Sequence, residues 1–301
     1  HGILTGALAA LLLSAQPAAG AAPTRPSAPK FDGRTAYRLI GRQVAFGPRV
    51  PGTKAHSLAR DWIVARLRES APNVSLQPFT GVFGGKNASM NNIIASLYPE
   101  MGKRVLLCAH WDCRHHADRD PDPKKRMLPV PGANDGASGV AVLLEAARVF
   151  AASKPPVGVD IVFFDGEDGG DYGDNDTWLL GSRHFARVMP VSFRPQYAIL
   201  LDMIGDRDLA LTRDSVSTMN APDLWGRVIT ACGRHGIPFI PGETSVVDDH
   251  VPLIERGIPA VDLIDFDYPS WHTVSDTPDK CSPESLGKIG SLVLDIVYGT
   301  K

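Results

Sequence analysis

Unbroken apolar runs and apolar residues spaced three or four apart alternate along this chain. The first pattern marks strands buried on both faces, the second helices with one face turned to a core. Helical spacing predicts elements over Thr35–Phe46 and Thr53–Leu67, the second with Leu58, Ile63 and Leu67 on one face beside Trp62. Strands are predicted at Val74–Val82, Asn92–Leu97 and Arg104–Ala109. A long Pro- and Asp-rich loop follows from His115 to Val130. The stretch Gly132-Ala133-Asn134-Asp135-Gly136-Ala137-Ser138-Gly139 then opens a helix through Phe150. Val159–Phe164 is the next strand, Asp171–Thr177 a polar loop, Trp178–Val188 a helix and Tyr197–Leu201 a strand. Ala221–His235 reads as a helix, and Asp248-Asp249-His250 opens a short one to Arg256. Ala260–Ile264 is the last strand. A closing helix runs to Tyr298, with Ser282 or Ser285 as its cap.

Strands alternating with helices imply a single α/β domain whose sheet is mostly parallel and covered on both faces. Ligands of such sheets sit outside the carboxyl ends of the strands. His110, Glu167, Asp168 and Asp202 each follow a strand-like run directly, so four chemically capable side chains are expected on one sheet edge. The run Ile161-Val162-Phe163-Phe164-Asp165-Gly166-Glu167-Asp168 is the clearest case. A buried strand that ends in three carboxylates needs a compensating charge, and a metal ion supplies one.

Composition narrows the class. The chain has 301 residues, 44% of them hydrophobic, and a formal net charge of -2. That is enough apolar residue for one large core. No basic field is present to attract nucleic acid or an anionic membrane, since Lys124-Lys125-Arg126 is the only basic cluster. The apolar run Gly2–Ala15, followed by small residues with Ala19–Ala21 as a cleavage signal, reads as a signal peptide over residues 1–22. No charged segment or initiator Met precedes it, so the sequence is expected to start late. Residues 23–33 are Pro-rich and read as a disordered lead-in to a catalytic domain over 34–301. Export to the periplasm or beyond is expected, with no stable membrane insertion after cleavage. The four cysteines, Cys108, Cys113, Cys232 and Cys281, can pair in an exported chain, though their spacing assigns no bonds.

Carboxylate and imidazole ligands without thiolate suit catalytic zinc. Asp135, Asp168 and His272 can supply three ligands and leave a fourth position open. His110 and Asp202 can complete a second site, with Asp135 bridging. Adjacent residues at a strand end point apart, so Glu167 is placed as a general acid/base beside the ion. Taken alone, Asp135 reads as a helix cap, Trp271 as packing, and His56, His184 and His235 as surface or satisfied core residues. Only the joint pattern raises the site above background. The glycines around Ser138 match neither a dinucleotide fingerprint nor a nucleophile elbow, and there is no P-loop.

Together these residues resemble the clan that holds zinc aminopeptidases and glutaminyl cyclases. The resemblance runs from Gly47-Pro48-Arg49 to the C-terminal helix. It rests on His110-x-Asp112, Gly-x-x-Asp135 before a helix, Glu167-Asp168 after a strand, Leu-Asp202-Met-Ile-Gly and His272-Thr273. Within the clan the wording is similar to bacterial glutaminyl-peptide cyclotransferases. Phe163–Asp168, Leu180-Gly181-Ser182-Arg183-His184, Asp248-Asp249-His250 and the Trp271-His272 pair carry that likeness. The resemblance implies a zinc aminopeptidase-like α/β fold and one zinc on Asp135, Asp168 and His272. It implies cyclisation of N-terminal glutaminyl residues of peptides to pyroglutamate with loss of ammonia, by a monomer. It also implies roles: Glu167 moves the proton, Asp202 and Asp248 hold the amide nitrogen, and Trp271 forms a pocket wall; Val247 and Tyr268 are expected to line the same pocket. Asp168 stands where animal members have Glu, and Tyr172 is the only aromatic in the loop Gly169–Asp176, where they carry Trp. Retained His110 and Asp202 leave a second zinc open. Two further readings stand beside the cyclase: a secreted two-zinc aminopeptidase, in which Glu167 activates water, and an inactive binding domain on the same fold.

Overall fold

The computed structural model describes residue 2 and residues 28–300. Six strands form one sheet: β1 (Asn73–Phe83), β2 (Lys86–Leu97), β3 (Arg104–His110), β4 (Gly158–Phe164), β5 (Ala198–Asp202) and β6 (Ala260–Ile264), in the order β1-β2-β4-β3-β5-β6. Strands β4, β3, β5 and β6 are parallel, whereas β1 and β2 form an antiparallel pair attached to β4. The turn Gly84-Gly85 joins that pair, as antiparallel neighbours allow, while the parallel strands need helical crossovers.

Side chains of the central strands alternate between two cores, as period-2 geometry requires. Leu107, Ala109, Ile161, Phe163, Ile199 and Leu201 face the larger core. On that side lie α1 (Gly33–Val44), α2 (Lys54–Arg68), α3 (Ala137–Ala152), α6 (Pro222–His235) and α8 (Pro283–Tyr298). Leu106, Cys108, Val162, Phe164 and Leu200 face a smaller one closed by α4 (Leu180–Val188) and α7 (His250–Glu255). Both faces of the sheet are therefore covered. A short α5 (Ser215–Asn220), which the apolar pattern does not reveal, is set by Asp214: its carboxylate accepts from the Val216 and Ser217 amides.

Helix α3 lies against the sheet so closely that Gly139 has no room for a side chain. A Cβ there would drive into the Leu201 carbonyl oxygen and the Ala109 methyl. Gly139→Ala is expected to destabilise the fold by about 1–3 kcal/mol, read as a lower denaturant midpoint at unchanged slope. The opposite outcome, an unchanged midpoint, would mean that the helix can back away from β5.

One expectation about the chain's organisation needs correcting. The lead-in assigned to 23–33 overlaps the folded domain. Phe31 is buried against Gly290 of α8, and the Asp32 carboxylate caps α1 by accepting from the Arg34 and Thr35 amides. Its apolar anchor was outweighed by the surrounding prolines. The four cysteines are all buried free thiols among the described residues, so no disulfide closes this fold. The expected signal peptide lies, apart from Gly2, outside the described residues. Among the described residues, no helix is long and apolar enough to cross a membrane.

Candidate metal centre and active site

The carboxyl edge of the parallel strands carries the site. His110 ends β3, Asp202 ends β5, Glu167 and Asp168 lie in the turn after β4, and Asp135 stands just ahead of α3. His272 comes from the loop after β6. These side chains make two overlapping clusters. Asp135, Asp168 and His272 offer one ligand atom each within 4.8 Å of one another; so do His110, Asp135 and Asp202. His272 Nε2 lies 3.1 Å from Asp168 Oδ1 and 3.7 Å from Asp135 Oδ2. His110 Nε2 lies 3.1 Å from Asp135 Oδ1 and 3.2 Å from Asp202 Oδ1.

A cation would satisfy this set. Asp135 Oδ2 and both carboxylate oxygens of Asp168 are buried without a hydrogen bond. Leaving charged acceptors in that state costs several kcal/mol unless a counter-charge binds. Buried carboxylates packed this closely favour protons or a metal ion. Burial drives the Glu167 carboxyl well above the usual carboxylate range, opposed by His110. Burial, with the Asp202 charge behind it, pushes Asp248 up to about 7. Burial works against a charged His272, yet Asp168, Asp118 and Asp135 outweigh it and hold the imidazole up to about 10. A divalent ion replaces those protons. The donor set of two carboxylates and one imidazole fits zinc, with a position left for substrate.

Backbone geometry holds these groups in place. Gly136 follows Asp135 with φ 87°, in the region that disfavours side chains. A Cβ there would sit 2.8 Å from the Asp112 carbonyl oxygen and 3.0 Å from the His110 ring. His272 (φ 55°) and Met203 (φ 48°) adopt the left-handed region without being glycine. Such strain is concentrated where a side chain must be aimed.

Two carboxylates missing from the sequence-based ligand set act from behind. Asp112 Oδ1 and Oδ2 accept from the Glu167 and Asp168 amides at 3.1 and 3.2 Å, and Asp112 lies 3.5 Å from His110 Nδ1. Asp276 accepts from the Asn134 and Asp135 amides and from the Tyr268 hydroxyl. Asp112 announces itself by standing two positions after a strand-end His; Asp276 carries no local signal.

A cleft of about 220 Å³ opens over the metal cluster, lined by Asp135, Glu167, Asp168, Asp202, Asp248 and His272 together with Trp271 and Val247. Tyr268, expected beside them, does not line it. Its ring is buried with Met203, Val246 and Ile264, and its hydroxyl is committed to Asp276. A second aromatic group is the surprise. Tyr172 and Trp178 both line the cleft, and Trp178 stands before α4 rather than inside it. The Trp178 ring is parallel to the His272 ring at 6.4 Å. An aromatic thus lines the cleft two positions beyond the stretch where Tyr172 stands as the sole aromatic. The helical spacing that continues through Trp178 masked it.

An α/β sheet with a buried Asp/Asp/His cluster and an acid beside it at the carboxyl edge is the architecture of a zinc-dependent enzyme acting on peptides. The chain belongs to Peptidase family M28, which matches residues 92–297. It is similar to the crystal structure of Tannerella forsythia glutaminyl cyclase, at 38% identity and TM-score 0.86, covering 91% of this chain and 100% of that one. It is equally similar to a Zn-dependent exopeptidase from Parabacteroides distasonis, at 37% identity and TM-score 0.87, covering 91% and 100%. A glutaminyl-peptide cyclotransferase-like protein of Mus musculus is 27% identical over 280 residues, covering 81% of this chain and 70% of that protein.

Proposed function

We propose that this protein is a zinc-dependent glutaminyl-peptide cyclotransferase. It converts the N-terminal glutaminyl residue of peptides and proteins to pyroglutamate and releases ammonia. One observation carries the choice within the family: the cleft over the metal cluster is small and walled by Trp271 and Trp178. A pocket of that size suits one extended amide side chain folded back on its own amine. The likeness to glutaminyl cyclases supports the same reading.

Asp135, Asp168 and His272 hold the zinc. When bound there, zinc supplies a Lewis acid that polarises the substrate γ-carbonyl. Glu167 lies in the same cleft with a carboxyl that burial keeps basic. It takes a proton from the substrate α-amine as the amine nitrogen bonds to the side-chain carbonyl carbon, and returns it to the amide nitrogen as the C–N bond breaks. Ammonia and the lactam balance the reaction without added water. Asp202 and Asp248 accept from the departing amide, and the unpartnered Asp248 Oδ2 supports that role. Trp271 and Val247 pack on the substrate methylenes. Holding amine and carbonyl in contact is itself a large part of the rate. The apolar segment ahead of residue 23 supports export, so the substrates are extracellular or periplasmic peptides.

A second reading rests on the second cluster. His110, Asp135 and Asp202 can hold another ion, and with two zincs Glu167 would activate water for aminopeptidase chemistry. Mass spectrometry of a short Gln-initiated peptide separates the two. The expected product has lost ammonia and nothing else, and the protein is expected to contain about one zinc per chain by elemental analysis. Release of the whole first residue with two zincs would establish the aminopeptidase instead.

A further inference from the structure

The long loop from His115 to Val130 has no part in the chemistry above, yet it delivers one cation to the mouth of the cleft. Arg119 is exposed, and its guanidinium carbon lies 4.1 Å from the Trp271 ring centroid and 5.3 Å from that of Tyr172. Both rings line the cleft, so the guanidinium lies beside it. Its backbone is pinned as well, the Arg119 amide donating to the His272 carbonyl at 3.2 Å.

Hydrogen-bond accounting shows what is left over. Arg119 Nε donates to the Tyr172 hydroxyl at 3.2 Å, and the two terminal nitrogens have no partner among the described residues. The neighbouring carboxylate is not available to them. Asp118 is bound through both oxygens to Arg114, which is itself buried and also donates to the Asp168 and Gly170 carbonyls. Tyr172 lies 2.9 Å from His272 Nδ1. The guanidinium therefore presents a fork of free donors beside a cleft whose interior is acidic.

We propose that Arg119, held in place by Tyr172 and Trp271, is a specificity-determining residue that binds a carboxylate on the residue following the N-terminal glutamine. The inference rests on the glutaminyl cyclase reading for the placement of that first residue. A planar fork supported by two aromatic faces suits bidentate capture of a carboxylate. Without it, the acids beneath would repel such a substrate.

The test compares Gln-Glu-Ala amide with its neutral isostere Gln-Gln-Ala amide on the zinc-loaded protein. The wild type is expected to favour the Glu peptide in kcat/KM by roughly tenfold, the weight of one charge-assisted hydrogen bond, and to lose that preference as salt rises. R119Q is expected to bring the ratio to one or below, and R119K to keep part of it. A general loss of folding or of metal lowers both peptides together and leaves the ratio unchanged. A wild-type ratio of one, or the same ratio in R119Q, overturns the proposal. If neither peptide releases ammonia, the cyclase reading falls. The ratio of dissociation constants by calorimetry then tests Arg119 by the same criteria, and no binding of either peptide overturns it too.

Discussion

Replacing Glu167 by Gln is expected to lower kcat by about 10²- to 10⁴-fold, the usual share of a positioned general acid/base, while the zinc content stays that of the wild type. Glu167 belongs to neither metal cluster, although its neighbour Asp168 does. The backbone at this turn is held independently of the Glu167 side chain, because Asp112 accepts from both amides. Gln keeps the shape and removes only the site that takes a proton. Single-turnover kinetics with a Gln-initiated peptide, beside elemental analysis of the same sample, reads both quantities. Loss of zinc would make Glu167 a ligand rather than the proton carrier. Unchanged kcat would assign the proton to another group, with Asp248 the first to test.

His272→Ala is expected to abolish zinc binding and, with it, activity. Its imidazole is the only neutral donor of the Asp135, Asp168, His272 set, and it lies between two carboxylates whose free oxygens are buried. Removing it leaves like charges facing one another without their counter-ion or its ligand. Zinc at a hundred times its dissociation constant adds about 2.7 kcal/mol to stability by mass action. The wild-type melting temperature is therefore expected to rise on zinc addition and that of the variant to stay flat. Because His272 has φ 55°, Asn, which tolerates this region, is the better-folded control. His272→Asn is expected to fold like the wild type yet show the same missing response. A full zinc response in either variant would take His272 out of the ligand set.

The candidate metal-binding stretches other than that of His272 were readable because those residues sit at a strand end or helix start, where local pattern and chemistry coincide. His110 closes an apolar run, Glu167 and Asp168 follow one, and Asp202 ends a third. The supporting groups were not readable for the same reason inverted. Asp276 follows no element, and it reaches Asp135 across 141 residues of chain. Trp178 continues a helical pattern that the fold stops short of, and only the return of the loop over the site shows its ring beside His272. Tyr268, expected in the pocket, turns its hydroxyl inward to Asp276 instead, since residues of one loop need not face one way.

Apolar periodicity alone determined the order of strands and helices, the covered parallel sheet and the edge on which the site must lie, since burial on both faces leaves only the strand ends for polar chemistry. The antiparallel edge, the second aromatic group, the carboxylates that grip the ligand backbone and the cation at the mouth were decided by tertiary contact. Those features join residues far apart in the chain. Their partners are chosen by packing and by unsatisfied buried charge, which no local pattern of residues records.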